Sequence, residues 1–319
     1  MTKAKEAHPG QLAVIMQRAN QRRFVWRPGK DTRELFGYMF FKAAIDHEVE
    51  PIVASLMSNH VHAMVLDHHG NRSDMMQQAF STAARKRNLE LDQRGNLWVT
   101  RQPSDMPVLD LEKVVQQVVY IAVQPVAAGL VAHATDWTGF KILPSDWGKT
   151  LRFKRPLACG PDMPEFGEYT PLPPPGFRHL PLADVIAFFE AKIAEKEREY
   201  AKRYKGRFRG IALCEMTSPY ATPHTKAEMR TRNPRFTSAD PKLVRAAQAR
   251  LKEFYVEHRQ ALHAFRDGDR DVLFPAGTIQ MARRAGACCA VAAGDHPLSL
   301  QLSWPQTLQS SWDTWLAKR

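Results

Sequence analysis

Cysteine is scarce and badly placed for pairing. The chain has four, Cys159, Cys214, Cys288 and Cys289, none of them in a C-x-x-C pair, and adjacent Cys288 and Cys289 are poorly placed to bridge each other. That pattern speaks against a disulfide framework; reduced thiols in a cytosolic protein are expected. Long apolar runs are missing as well. No stretch approaches the ~20 residues of a membrane-spanning helix, and Met1 to Gln11 lacks the apolar centre of a secretory leader, so the expectation is a cytoplasmic protein without a membrane partner. No internal repeat is visible. Acidic residues are also in deficit: Lys plus Arg outnumber Asp plus Glu 45 to 33 in 319 residues, a net charge of +12. This balance favours an anionic partner, and nucleic acid is the commonest one.

What is present reads as alternating strands and helices. Leu12 to Met16 is a short apolar strand running into a basic loop, Gln17 to Arg23. Helical periodicity covers about Arg33 to His47, with Asp31 or Thr32 as its cap. Pro51 opens a strand from Ile52 to Met57, Ser58-Asn59 turns the chain, and His60 to Leu66 is a second strand. A helix from Ser73 to Leu91 follows, then a turn at Gly95-Asn96 and a short strand, Leu97 to Thr100. Asp110 caps a helix through Val114, Val115, Val118 and Val119, which carries Tyr120. The order β-α-β-β-α-β-α gives an α+β fold, a ferredoxin-like antiparallel sheet with one extra helix. Residues 1–150 form this first domain. The prolines of 151–181, including Pro173-Pro174-Pro175, read as a linker or tether, and 182–319 as a mostly helical accessory region.

Two tracts carry chemistry. In Ser58-Asn59-His60-Val61-His62 the period of a strand puts His60 and His62 on one face, about 6.5–7 Å apart, with Val61 and Ala63 on the other. Two imidazoles on a rigid strand can converge on one cation; two half-exposed histidines on a sheet face are the plain alternative. About sixty residues later comes Tyr120-Ile121-Ala122-Val123-Gln124-Pro125-Val126-Ala127-Ala128-Gly129-Leu130-Val131.

Together these tracts resemble the single-tyrosine HUH transposases, in particular the REP-associated tyrosine transposases. That family pairs a strand ending in P-N-H-V-H with a helix reading Y-I-H-L-N-P-V-R-A-G-L-V. Arg18-x-Asn20-x-Arg22 is also similar to the family's R-G-N-x-R segment, and the likeness covers roughly residues 10 to 150. The resemblance implies the HUH nuclease fold, His60 and His62 as metal ligands and Tyr120 as nucleophile. Gln124 stands where the family has Asn, one helical turn after the tyrosine. Its carbonyl would complete a mixed imidazole and oxygen site for Mg²⁺ or Mn²⁺, although Pro125 biases Gln124 away from helical geometry. The implied reaction is single-strand DNA cleavage and strand transfer through a 5′-phosphotyrosine, which conserves the bond for rejoining. Implied partners are single-stranded or hairpin DNA, with a homodimer admitted, in a nucleoid-associated setting. Three departures stand out: Ala122 replaces His, Ser58 replaces Pro and Ala127 replaces Arg. A non-cleaving hairpin-binding regulator is therefore the alternative, and a metal-dependent hydrolase without a tyrosyl link a third reading.

The cations expected on DNA are Arg18, Arg22 and Arg23 in the first cluster, and Arg85, Lys86 and Arg87 in the second. Asn20 itself belongs to the same candidate contact. Phe24 and Trp26 could stack on unpaired bases or belong to the core. Arg230, Arg232, Arg235, Arg245 and Arg250 could extend the surface. His68 and His69 read as a solvated loop, Tyr38 and Tyr204 as packing or stacking residues, and Asp271 to Thr278 as a turn packed on helices.

Overall fold

The computed structural model describes residues 4–100, 103–224, 234–291, 300 and 302–318; Arg230 and Arg232 lie outside the described residues. The chain is α+β. Its first elements are β1 (Gln11–Arg18), α1 (Lys30–Asp46), β2 (Val49–Met57), β3 (His60–Asp67), α2 (Arg72–Glu90), β4 (Ser104–Pro107), α3 (Leu111–Ala122), α4 (Gln124–Ala127) and β5 (Lys141–Ile142). A small hairpin, β6 (Leu151–Lys154) and β7 (Phe166–Tyr169), comes next. The rest is helical: α5 (Leu182–Arg203), α6 (Ile211–Met216), α7 (Pro241–Arg266), α8 (Ile279–Ala285) and α9 (Gln306–Leu316).

The five strands form one antiparallel sheet in the order β4-β1-β3-β2-β5. β3 sits at its centre, and its alternation divides the molecule into two layers. Val61, Ala63 and Val65 face α1 and α2, joining Phe36, Phe40, Phe41, Met75, Ala79 and Phe80 in one buried cluster. Met64 and Leu66 point the other way, into a cluster with Val114, Val118 and Ile121 of α3 and Phe188 and Phe189 of α5. β2 lies between β3 and the edge strand β5, and pairs with only two residues of β5. Indole N–H groups cover two of the remaining β2 carbonyls: Trp137 donates to Leu56 (2.9 Å) and Trp147 to Ile52 (2.8 Å), which keeps buried acceptors satisfied.

Four local expectations are corrected. The fourth strand is Ser104–Pro107, paired with Ala13 to Met16, rather than Leu97 to Thr100. Trp98 makes only an isolated bridge to Ala19, because its ring is drawn into the core, stacking on Trp26 at 5.2 Å and donating to the Phe80 carbonyl. Helix α1 begins at Lys30 behind Gly29, which has no side-chain cap, so neither Asp31 nor Thr32 caps it. The proline-rich segment is packed rather than a free tether: Phe153 lies against the bare Cα of Gly37, and Phe177 is buried against Phe189 and Trp304. The helices after it share the sheet's core, since Val185 and Ile193 of α5 and Leu308 and Trp312 of α9 belong to the α3 cluster. Other expectations hold. Asp110 caps α3, accepting from the Lys113 N–H at 2.7 Å, and it also accepts from the Ala239 N–H, which fixes the approach to α7. Phe274 is buried against Phe265 and His258 in the expected packed turn.

Candidate active site

His60 and His62 project from β3 on the α3 side, as period two requires. Their ring centroids are 5.0 Å apart and nearly perpendicular. Register places Arg18 and Met57 beside His60, and Met16 and Ser55 beside His62. Tyr120 reaches them from α3. Its ring is 5.7 Å from that of His62, edge to face, and it is 47% exposed, so the phenol is open to solvent while neighbouring Val119 and Ile121 are buried.

Gln124 arrives by a break in the helix. Pro125 has no N–H to continue α3, so the chain ends that helix at Ala122, passes through Val123 and starts the short turn α4 with Gln124. The side chain still lies below Tyr120. Its Nε2 donates to the Tyr120 carbonyl at 3.2 Å, and it hydrogen-bonds His60. Three candidate ligands and the candidate nucleophile are thus brought together.

Electrostatics hold both imidazoles neutral. Burial lowers His60 to about 4, helped by the Arg18 charge and opposed by the hydrogen bond to Gln124. Burial, then His60 and Arg18, lowers His62 to about 3. Neutral imidazole is the form that binds a metal. A residue that motif reading left as a mere turn orients His60. Asn59 Oδ1 sits 2.7 Å from His60 Nδ1, and Asn59 Nδ2 donates to the Arg22 carbonyl at 3.3 Å. This carboxamide holds the His60 ring from its Nδ1 side. Its signal in the sequence is an Asn directly before the first His.

The residues fit a divalent cation. His62 Nδ1 is buried without a hydrogen-bond partner, the Gln124 amide supplies a hard oxygen, and mixed imidazole and oxygen donors suit Mg²⁺ or Mn²⁺. Among the described residues no cluster of three His, Cys, Asp or Glu forms; Gln124 is the third candidate ligand beside the two imidazoles.

The two basic clusters separate. Arg18 is exposed on the imidazole face. Asn20–Arg22 makes a tight turn in which Gln21 and Arg22 adopt positive φ (53° and 59°), and Arg23 donates to Gln93 at 3.2 Å. Arg85, Lys86 and Arg87 are on α2, which packs on the opposite face of the sheet. Arg87 is a correction: only 5% exposed, it donates to the Val25 carbonyl (2.7 Å) and pairs with Glu90, so it holds the fold rather than a phosphate. Lys86 is tied to the Ala158 carbonyl; Arg85 is exposed. Trp26 is fully buried and belongs to the core. His68 and His69 pair with Glu50 and Glu48 on the surface. The Tyr38 hydroxyl bonds the Pro164 carbonyl and that of Tyr204 the Ala127 carbonyl.

No protein-family model and no curated protein matches the sequence. Among solved structures the chain is similar to a REP-associated tyrosine transposase. That structure, described as bound to a REP hairpin, is 16% identical, with a TM-score of 0.38, over 46% of this chain and 84% of the other. A candidate transposase from Deinococcus radiodurans R1 is 14% identical, with a TM-score of 0.27, over 39% of this chain and 98% of the other. At such identities the site has to be read from this chain's own side chains. No helix among the described residues is long and apolar enough to cross a membrane.

Proposed function

We propose that this protein cleaves and rejoins single-stranded DNA, transposase-like, with Tyr120 as nucleophile. The observation that carries the reading is the juxtaposition of an exposed phenol with a neutral imidazole pair, at 5.7 Å between the Tyr120 and His62 rings and 5.0 Å between His62 and His60. A buried structural tyrosine has no need of solvent access, and a structural histidine pair has no need of an unpartnered buried nitrogen.

His60, His62 and Gln124 would hold a divalent cation, Mg²⁺ or Mn²⁺, which when bound supplies a Lewis acid that polarises the scissile phosphate. The chain's own groups do the rest. Asn59 fixes the His60 ring, and Gln124 ties the ligand cluster to the backbone of the nucleophile through its bond to the Tyr120 carbonyl. The phenolic oxygen attacks phosphorus, its proton leaves to solvent, the P–O bond to the 3′ oxygen breaks, and a 3′-hydroxyl departs. The 5′-phosphotyrosine conserves the ester bond, so attack by another 3′-hydroxyl reseals without a nucleotide cofactor. Arg18, exposed next to His60 in the sheet, is the cation best placed for the phosphate backbone; Asn20, Arg22, Arg23 and Arg85 lie further out as candidate contacts. Hairpin DNA is the first substrate to try.

The test is incubation of the protein with labelled hairpin oligonucleotide and Mn²⁺, followed by denaturing electrophoresis. A denaturation-resistant adduct that disappears in Tyr120→Phe is expected. Salt-sensitive binding with no adduct would instead mark a non-cleaving binder, and free 5′-phosphate ends insensitive to Tyr120→Phe a metal-dependent hydrolase.

A further inference from the structure

Tyr120 has a second side. Away from His62, its ring lines a groove of about 520 Å³ between α3, α5 and α9, within the ~300–1,000 Å³ usual for small-ligand sites. The floor is apolar, made by buried Val115, Val119, Val123 and Leu308. The rim is cationic and aromatic: Lys192, Lys196 and Tyr200 stand at four-residue intervals along α5, one stripe of that helix, and Lys113 faces them from α3. Of the two acids on the rim, Glu112 is engaged by the Thr307 hydroxyl at 2.8 Å, and Glu195 is exposed. Lys196 is shared with Glu199 at 2.6 Å, whereas the Lys192 ammonium rests 5.8 Å from the Phe188 ring centroid.

We propose that this groove binds the single-stranded nucleotide adjoining the scissile phosphate, its base on the valine floor against Tyr200 and its phosphate along Lys192 and Lys113. An unpaired nucleotide offers a flat apolar face on one side and an anion on the other, which is the pairing of surfaces the groove provides. A duplex, with its bases stacked inside, presents no face to the floor. Position adds the second reason: a strand joined to the Tyr120 oxygen has its next nucleotide within reach of that ring, and the groove begins there. The location next to cleavage rests on the reading of Tyr120 given above; the binding itself does not.

Fluorescence anisotropy of a labelled thymidylate pentamer with the full chain separates the two. Gln116→Trp places a bulky ring at the groove mouth from an exposed position one turn before Tyr120, and Lys192→Glu reverses the rim charge. Each is expected to weaken binding about tenfold, the loss of roughly one stacked base. Lys252→Glu on α7 is expected to leave it unchanged. Unchanged affinity in Gln116→Trp and Lys192→Glu overturns the groove even if the Tyr120 adduct forms. Weakened affinity with no adduct on any substrate upholds the groove and removes the cleavage reading. Equal competition by a duplex of the same sequence overturns single-strand selectivity.

Discussion

The two faces of the central sheet are built from the same strand and serve opposite ends. On the α1 and α2 side, β3 contributes Val61, Ala63 and Val65 to a layer dominated by aromatic rings, with Phe40 at 5.7 Å from Phe36 and 5.5 Å from Phe140. On the α3 side the same strand starts with two histidines, half-closed by an exposed tyrosine and a glutamine, before returning to Met64 and Leu66. One face is closed by packed rings; the other leaves His62 Nδ1 buried without a partner at one end, beside an exposed phenol. The difference teaches that a rigid, finished layer on one side fixes the strand register that aims the imidazoles on the other.

Disturbing the two faces should therefore give separable results. The largest effect belongs to the open face: Tyr120→Phe should reduce adduct formation at least about 10³-fold, with the thermal midpoint unchanged, since the ring stays against His62. On the filled face, Phe40→Ala should cost about 3–5 kcal/mol of stability, read by urea denaturation, without changing the metal requirement of whatever folded protein remains. Asn59→Ala comes next. Removing the partner of His60 Nδ1 should weaken Mn²⁺ binding about 10–100-fold, measured by calorimetry, with little change in stability. Smallest is the charge comparison: Arg18→Ala should reduce the salt slope of DNA affinity by about one phosphate contact, whereas Arg87→Ala should leave that slope alone and lower stability instead. An Arg87→Ala protein with an altered slope and unaltered stability would undo the distinction between the clusters.

Acid offers a probe of the far edge, away from the site. Burial alone would raise the Asp105 carboxyl, but Arg72, whose Nε lies 2.9 Å away, and Lys5 outweigh it and hold the group below its ordinary value. With the folded value depressed, the stability from this carboxylate is fully present above the unfolded value of about 4 and is lost as pH falls below it. Asp105→Asn should therefore flatten the acid limb of a stability curve below about pH 4 and lower stability at neutral pH.

The site was legible in the sequence more fully than its surroundings. Strand alternation alone places His60 and His62 together, and the Asp110 cap with a valine stripe places Tyr120 on a helix. Asn59 escaped because a turn residue before a strand needs no further reason to be Asn. β4 was misplaced because Leu97-Trp98-Val99-Thr100 has the side chains of a strand and Ser104-Asp105-Met106-Pro107 does not. Pairing with β1 and the Asp105 ion pair with Arg72 make the latter extended, a tertiary decision that local propensity cannot report. The proline-rich segment misled for a related reason: composition reports stiffness, whereas buried Phe153 and Phe177 anchor the segment to the core. The stripe Lys192, Lys196, Tyr200 is visible on α5 in the sequence, but only packing shows that it faces the tyrosine helix.

Mass spectrometry of the protein after reaction with single-stranded hairpin DNA and Mn²⁺ tests the central claim most directly. A nucleotide phosphate attached to the peptide containing Tyr120, absent when the metal is chelated and absent in the His60→Ala, His62→Ala double variant, is the predicted result. A phosphate on any other side chain, or cleaved DNA with no protein attached, would contradict it.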